Sequence, residues 1–237
     1  MTHVIIIGGS KGLGREIAKQ MSRAGMTVSV FSRTPSDQSD PNIHHYAVDL
    51  ADSAARRETL TKAVTAHGQL DSLVFCQRFR GQVDTWAGEL EVGLTATKDL
   101  IEAAAPEFAA NGARSVVLVG SVAGPWIAAE QGAGYHVAKA GQETLIRYYA
   151  VKLGPQGIRV NGVAPSAFIK EEAKKYHESH PEVSARMAKL TPLNRMGTAA
   201  DSADAIRFFA SKQSRFITGQ NLIVDGGLTL QLQTSLG

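Results

Sequence analysis

The run Val4-Ile5-Ile6-Ile7-Gly8-Gly9-Ser10-Lys11-Gly12-Leu13-Gly14 decides the fold. Four consecutive branched apolar residues read as a strand buried on both faces, and Ile17, Ala18 and Met21 mark the buried stripe of a following helix. Glycines between the two let the backbone turn tightly and come close to a pyrophosphate, while the start of a helix offers N–H groups and a partial positive charge. Strand, glycine loop and helix in that order predict a nucleotide site made by Gly8, Ser10, Lys11, Gly12, Leu13 and Gly14.

The next strand, Met26 to Phe31, closes on Ser32-Arg33-Thr34. Dinucleotide folds place a carboxylate about 20 residues past the glycines to bind the ribose 2′-hydroxyl of NAD, or an Arg nearby to accommodate the 2′-phosphate of NADP. Arg33 stands 19 residues past Gly14, with Glu16 the one carboxylate between them and Lys11 a second cation in the loop. NADP(H) is the expected cofactor. His44 to Val48 reads as a short third strand ending in Asp49-Leu50, where the aspartate can accept a hydrogen bond from an adenine amino group. Ser53 to His67 reads as a helix and Leu70 to Cys76 as the fourth strand. One further helix is expected near Thr85 to Ala110, another from Tyr135 to Leu153, with strands at Ser115 to Val119, Ile158 to Val163 and Asn221 to Gly227. Strands alternating with helices imply an α/β fold with a parallel, doubly wound sheet, helices on both faces and right-handed crossovers, as one domain over residues 1–237.

Ser121, Tyr135 and Lys139 follow the fifth strand. Residues four apart share one helical face, so an ammonium lies beside a phenol and favours its ionised form. Such a tyrosine can exchange a proton near neutrality, and Ser121 can hydrogen-bond the same substrate oxygen. Tyr148 and Lys152 repeat the spacing about 20 Å further along the helix, away from the strand ends where ligands bind, and have no serine upstream.

Bulk properties narrow the function. With 43% hydrophobic residues in 237, the chain can bury one substantial core, and a net charge of +3 carried by scattered Lys and Arg argues against a nucleic-acid surface. One cysteine, Cys76, excludes an internal disulfide and suits a reducing cytoplasm. No apolar run reaches the roughly 18 to 20 residues that span a bilayer. The start Val4 to Ile7 is too short for a signal segment, so the mature protein is expected to begin near Met1. Residues 168–190, rich in charge and helix formers, read as a substrate lid or a solvated surface helix. His177 and His180 there have no third ligand nearby, and no metal is expected.

Gly8-x-x-x-Gly12-x-Gly14, Asp49-Leu50, Ser121 with Tyr135-x-x-x-Lys139, Arg159-Val160-Asn161 leading to Pro165, Pro192-Leu193-x-Arg195-Met196-Gly197, and Val224-Asp225-Gly226-Gly227 span nearly the whole chain. Together they resemble the short-chain dehydrogenase/reductase family, in the branch of the 3-oxoacyl carrier-protein reductases. The resemblance implies a Rossmann-type fold and hydride transfer between a nicotinamide cofactor and a carbonyl or secondary alcohol, carried by a small molecule or a carrier protein. It implies Tyr135 as acid/base, Lys139 as its partner and ribose ligand, Ser121 orienting the carbonyl, Asp49, Leu50 and Pro165 near the cofactor, and a homotetramer or homodimer. Ile7 stands where the family often has Thr, and Phe75-Cys76-Gln77-Arg78 where it has Asn-Asn-Ala-Gly. Gly93 stands at the position of the catalytic Asn thought to hold a relay water beside the lysine, Ser166 replaces Gly, and Lys170 replaces a Thr near the nicotinamide. A dinucleotide-binding protein without turnover, or an epimerase or dehydratase using the same three residues, remain alternative readings. Arg78, Arg80 and Lys170, with Lys174 and Lys175 one turn on, place cations at the substrate side and point to an anionic substrate.

Overall fold

The structure is a computed structural model that describes residues 2–35, 39–83, 85–169 and 174–231. Seven parallel strands form one sheet in the order β3-β2-β1-β4-β5-β6-β9. They are β1 (His3–Ile7), β2 (Thr27–Ser32), β3 (Ile43–Ala47), β4 (Leu70–Phe75), β5 (Ser115–Val119), β6 (Arg159–Pro165) and β9 (Asn221–Val224). Two faces of apolar residues follow from strand alternation. Ile5, Ile7, Phe31, Leu73, Phe75, Val116 and Leu118 point to one layer, and Val4, Ile6, Val28, Val30, Val74, Val117 and Val119 to the other.

The first layer is covered by α2 (Ser53–His67), α4 (Ala96–Ala104) and α5 (Ala133–Leu153), the second by α1 (Gly12–Arg23) and α8 (Ala199–Phe209). Because the chain runs from β1 outward to β2 and β3 and then returns to β4 on the other side of β1, the strand order reverses between β1 and β4. Crevices at such a reversal, outside the carboxyl ends of the strands, are where open α/β sheets bind ligands.

Several boundaries shift by one or two residues from those expected, and three departures have a clear physical cause. The helix expected over Thr85 to Ala110 is broken into α3 (Thr85–Leu90), a π-helical turn at Glu91–Thr95, and α4, which ends at Ala104 before a 3-10 turn containing Pro106. Proline cannot continue the hydrogen-bond ladder, which accounts for the early stop. Strand β3 starts one residue earlier than its apolar pattern suggests, because Val28 pairs with Ile43. Strand β9 stops at Val224, and Asp225 then closes a turn by accepting from the Gly227 N–H at 2.8 Å and from the Thr229 N–H and hydroxyl at 2.8 and 2.7 Å.

The motif Arg159-Val160-Asn161 is structural. The buried Arg159 guanidinium donates to the carbonyls of Phe209, Ala113 and Ser211 and to the Ser214 hydroxyl, while Asn161 holds the Ile217 carbonyl and the Gln220 N–H. Both fasten the segment between α8 and β9 to the sheet. The region expected as a lid contains α6 (Lys174–Ser179) and α7 (Pro181–Leu190), preceded by β7 (Phe168–Ile169), which pairs with β8 (Gly197–Thr198). Among the described residues, no helix is long and apolar enough to cross a membrane.

Candidate active site

The loop after β1 is folded back on itself. Gly8 has φ +83°, a left-handed conformation, and a Cβ there would lie 2.7 Å from the Gln77 backbone; one on Gly14 would lie 2.3 Å from the Gly8 carbonyl oxygen. Helix α1 then begins with no side-chain cap and no acidic residue in its first turn. By contrast, Asp52 caps α2, and Thr198 with Asp201 makes a complete capping box on α8. A positively polarised helix start that carries no side-chain cap from Lys11 and is reached through closely packed glycines fits the pyrophosphate of a dinucleotide. Ser10 is buried in the loop and Lys11 exposed beside it. Ile7 pairs with Phe31, and the Gly8 N–H donates to the Phe31 carbonyl, so the glycine loop leaves β1 at the same sheet edge at which β2 ends, with Arg33 exposed one residue past Ser32. Asp49 is exposed beyond β3, with one carboxylate oxygen accepting from the Ala51 N–H at 3.0 Å, and Leu50 is buried next to it. Pro165 ends β6, and its carbonyl accepts from the Val122 N–H.

Ser121 leaves the carboxyl end of β5, its Oγ accepting from the Ala123 N–H at 3.1 Å. Helix α5 returns to that place. Lys139 Nζ donates to the carbonyl of Val119, the last residue of β5, at 2.7 Å, and lies 5.8 Å from the Tyr135 ring centroid. His136 Nδ1 lies 2.7 Å from the Ala123 carbonyl, binding the Ser121 loop to the helix that carries the tyrosine and lysine. Three residues separated in sequence are thereby held at one strand end. Tyr148, in contrast, is 56% exposed, and Lys152 is exposed on the same outer surface. Lys139 itself is 7% exposed, and burial pulls its ammonium down to about 8, against the upward pull of Glu89 and Cys76 and with the help of Arg78.

A cleft of about 400 Å³ opens in front of Tyr135, lined among others by Arg78, Arg80, Glu89, Glu130 and Gln131. The Arg78 guanidinium sits 4.5 Å from the Tyr135 ring centroid, 3.9 Å from the Glu89 carboxylate, and hydrogen-bonds Gln131. Arg80 is exposed at the mouth. The expected rim of cations is therefore mixed with carboxylates here. Burial raises the Glu89 carboxyl, while Arg78, Lys139 and Arg80 oppose that shift. Lys170 lies outside the described residues, as do the side chains of Lys174 and His177; Lys175 is exposed on α6. Among the described residues, no group of three His, Cys, Asp or Glu side chains could hold a metal ion.

Sequence reasoning missed Gln142. Its amide lies against Lys139 and the Gly93 carbonyl, in the space behind the lysine. A polar residue three positions past Lys139, on a helix face that is otherwise buried and apolar, was the available signal. Gly93 is buried in the π-turn, where a Cβ would lie 3.0 Å from the Ala138 Cβ. Close packing of this turn on α5 leaves little room for an asparagine side chain.

A family model described as enoyl-(acyl carrier protein) reductase matches residues 8–229. The chain is 30% identical to L-rhamnose 1-dehydrogenase (NAD(P)(+)) of Azotobacter vinelandii, with 97% of each chain covered. It is 26% identical to 3-oxoacyl-[acyl-carrier-protein] reductase FabG of Staphylococcus aureus, covering 94% of this chain and 96% of that one. In fold it is similar to the aldohexose dehydrogenase of Thermoplasma acidophilum, with a TM-score of 0.87 at 22% identity over 98% of this chain and 95% of the other. A match spanning the glycine loop, the Ser121–Tyr135–Lys139 group and the turn after β9 means that the chain belongs to the short-chain dehydrogenase/reductase family, whose oxidoreductases use a nicotinamide cofactor.

Proposed function

We propose that the protein is an NADP(H)-dependent reductase of a carbonyl group, or the corresponding alcohol dehydrogenase in reverse, acting on an anionic substrate. The observation that carries this reading is the buried Lys139 ammonium, fastened to the end of β5 behind Tyr135, whose ring lines the cleft. The cofactor supplies or takes up the hydride. Ser121 Oγ hydrogen-bonds the substrate oxygen and offsets its developing negative charge. Tyr135 gives that oxygen its proton as the carbonyl becomes an alcohol, and Lys139 stabilises the phenolate left behind. The test is a panel of ketones and alcohols in which NADPH loss is measured against alcohol formed. One-for-one stoichiometry is expected, whereas product without net cofactor oxidation would replace this reading with an epimerase or dehydratase.

Arg33, exposed just past the end of β2, is the proposed partner of the 2′-phosphate, with the exposed Lys11 of the glycine loop as a second cation. A hydrogen bond to a charged group contributes about 1.5 to 3 kcal/mol, so NADPH should bind roughly tenfold to a hundredfold more tightly than NADH. Arg33→Asp should reverse that order in fluorescence titrations. Equal affinities for the two cofactors in the unmodified protein would remove Arg33 from this role.

The anionic substrate is argued from Arg78 and Arg80 in the cleft that contains Tyr135. Arg78 is already shared between Glu89, Gln131 and the tyrosine ring, so Arg80 is the more available cation. A carboxylate or phosphate on the substrate, or an acidic carrier protein, would be drawn to it, and salt would weaken the attraction. For matched neutral and anionic ketones, kcat/KM is expected to favour the anion, to fall with added salt, and to lose that preference in Arg80→Ala. Equal use of both ketones at every salt concentration would count against the proposal. The assembly is proposed to be a homodimer or homotetramer, in keeping with the exposed Leu222 and Ile223 on the edge strand β9 and Tyr148 and Val151 on α5.

A further inference from the structure

The π-turn at Glu91–Thr95 faces α5 at the level of Lys139, and two of its carbonyls are taken up by side chains. Gln77 Nε2 donates to the Val92 carbonyl at 3.2 Å and to the Thr97 hydroxyl at 2.8 Å. The Gly93 carbonyl accepts from the Thr97 hydroxyl at 2.9 Å and from Gln142 Nε2 at 3.1 Å. A π-turn displaces the regular helical ladder, and such turns are found frequently at functional sites.

Gln142 is 2% exposed and uses both ends of its amide. Its Oε1 accepts from Lys139 Nζ at 3.1 Å while its Nε2 meets the Gly93 carbonyl. The opposite orientation would set oxygen against oxygen and ammonium against N–H, so the network admits one orientation of the amide. Gly93 has no side chain to offer, and the carboxamide of Gln142 fills the space between the residue-93 carbonyl and the lysine.

We propose that Gln142 is a positioning residue: its carboxamide, braced on the Gly93 carbonyl, fixes the Lys139 ammonium at the end of β5 in place of a hydrated asparagine. Lys139 has three N–H donors. Val119 and Gln142 accept two of them from opposite elements, which restricts where the third can point. The charged and titratable groups facing Lys139 are Glu89 on α3, Cys76 and Arg78 in the segment after β4, and Tyr135 on its own helix. None of these supplies the uncharged acceptor that Gln142 provides. The fastening is a matter of geometry. That it serves proton transfer rests on the reading of Tyr135 and Lys139 given under Proposed function.

The sign of the expected effect follows from what the amide oxygen does. An acceptor favours the charged lysine, so Gln142→Leu should make the ammonium lose its proton at lower pH. Gln142→Glu sets a carboxylate there and should make it lose its proton at higher pH. By the strength of a hydrogen bond to a charged group, the proton affinity should change about tenfold or more each way. The experiment is an NMR titration of the protein labelled with 13C at the lysine Cε, with the Lys139 signal identified by its loss in Lys139→Met. Opposite displacements in the two variants support the proposal, and simple damage to the fold would not produce them. Unmoved titrations, or displacement in the same direction, overturn it. If Gln142→Leu does not fold, Gln142→Glu decides alone: an upward displacement supports the proposal and any other result overturns it. The pH profile of kcat separates the two readings. If the alkaline limb follows the lysine titration, Lys139 serves Tyr135. If the lysine moves and kcat does not, the catalytic assignment fails while the fastening by Gln142 stands.

Discussion

Tyr135→Phe is expected to lower kcat by about 10²- to 10⁴-fold, the typical contribution of a positioned proton donor, while leaving affinity for the nicotinamide cofactor nearly unchanged. The substitution removes the phenolic hydroxyl and keeps the ring, so the contact with the Arg78 guanidinium at 4.5 Å survives. Tyr148→Phe is the matched control. It occurs on the same helix and has the same spacing to a lysine, but its side chain is on the outer surface. Steady-state kinetics with cofactor titrations on both variants make the comparison. Equal loss in two folded proteins would mean that Tyr135 has no special part in the reaction.

Asp99→Ala is expected to destabilise the fold by about 1.5 to 3 kcal/mol, because it takes from the buried Arg56 cation one of its two carboxylate partners. Arg56, 2% exposed, donates to Asp99 at 2.7 Å, to Glu91 at 2.8 Å and to the Leu50 carbonyl at 2.6 Å, and Arg57 also reaches Asp99. Hydrogen bonding from Arg57, together with Arg56, holds the Asp99 carboxyl below the usual range despite its partial burial. The network joins α2 to α4, to the π-turn and to the segment after β3 that carries Asp49. Glu58→Ala, which breaks the exposed pair with Lys62, should cost only about 0.3 to 0.5 kcal/mol. Urea unfolding of the two variants measures the contrast. A loss below about 1 kcal/mol for Asp99→Ala would show that Glu91 and the Leu50 carbonyl satisfy Arg56 without Asp99.

The sheet could be read from the chain because its strands are buried on both faces. Val4 to Ile7 and Ser115 to Val119 are nearly continuous apolar runs, and alternation divides each between two helical layers. The glycine loop and the Tyr135–Lys139 spacing were likewise legible, since each depends on local geometry. The π-turn was not. Val92, Ala96 and Leu100 keep helical spacing across it, and one widened turn changes the phase without altering the composition. Gln142 was missed because its partners are a side chain on its own helix and a carbonyl 49 residues away. Arg78 was expected near the substrate, but its position over the Tyr135 ring and beside Glu89 depends on how α3 packs, which spacing after a strand does not specify.

The π-turn also makes the spacing between two helices a matter of residue count. Each residue of an α-helix advances the azimuth by about 100°. Upstream of the turn, α3 sets Trp86 and Glu89 against Gly134 of α5; downstream, α4 turns Asp99 toward Arg56 of α2. Deleting one residue from 91–95 and closing the ladder into a regular α-helix could keep one of these alignments but not both. Either the wall of the cleft would rotate away from the tyrosine, or the buried carboxylate would leave its arginine. Insertions and deletions that an exposed loop would absorb should therefore be costly at these five positions, because the register of the helix sets both the wall of the cleft and the buried ion pair.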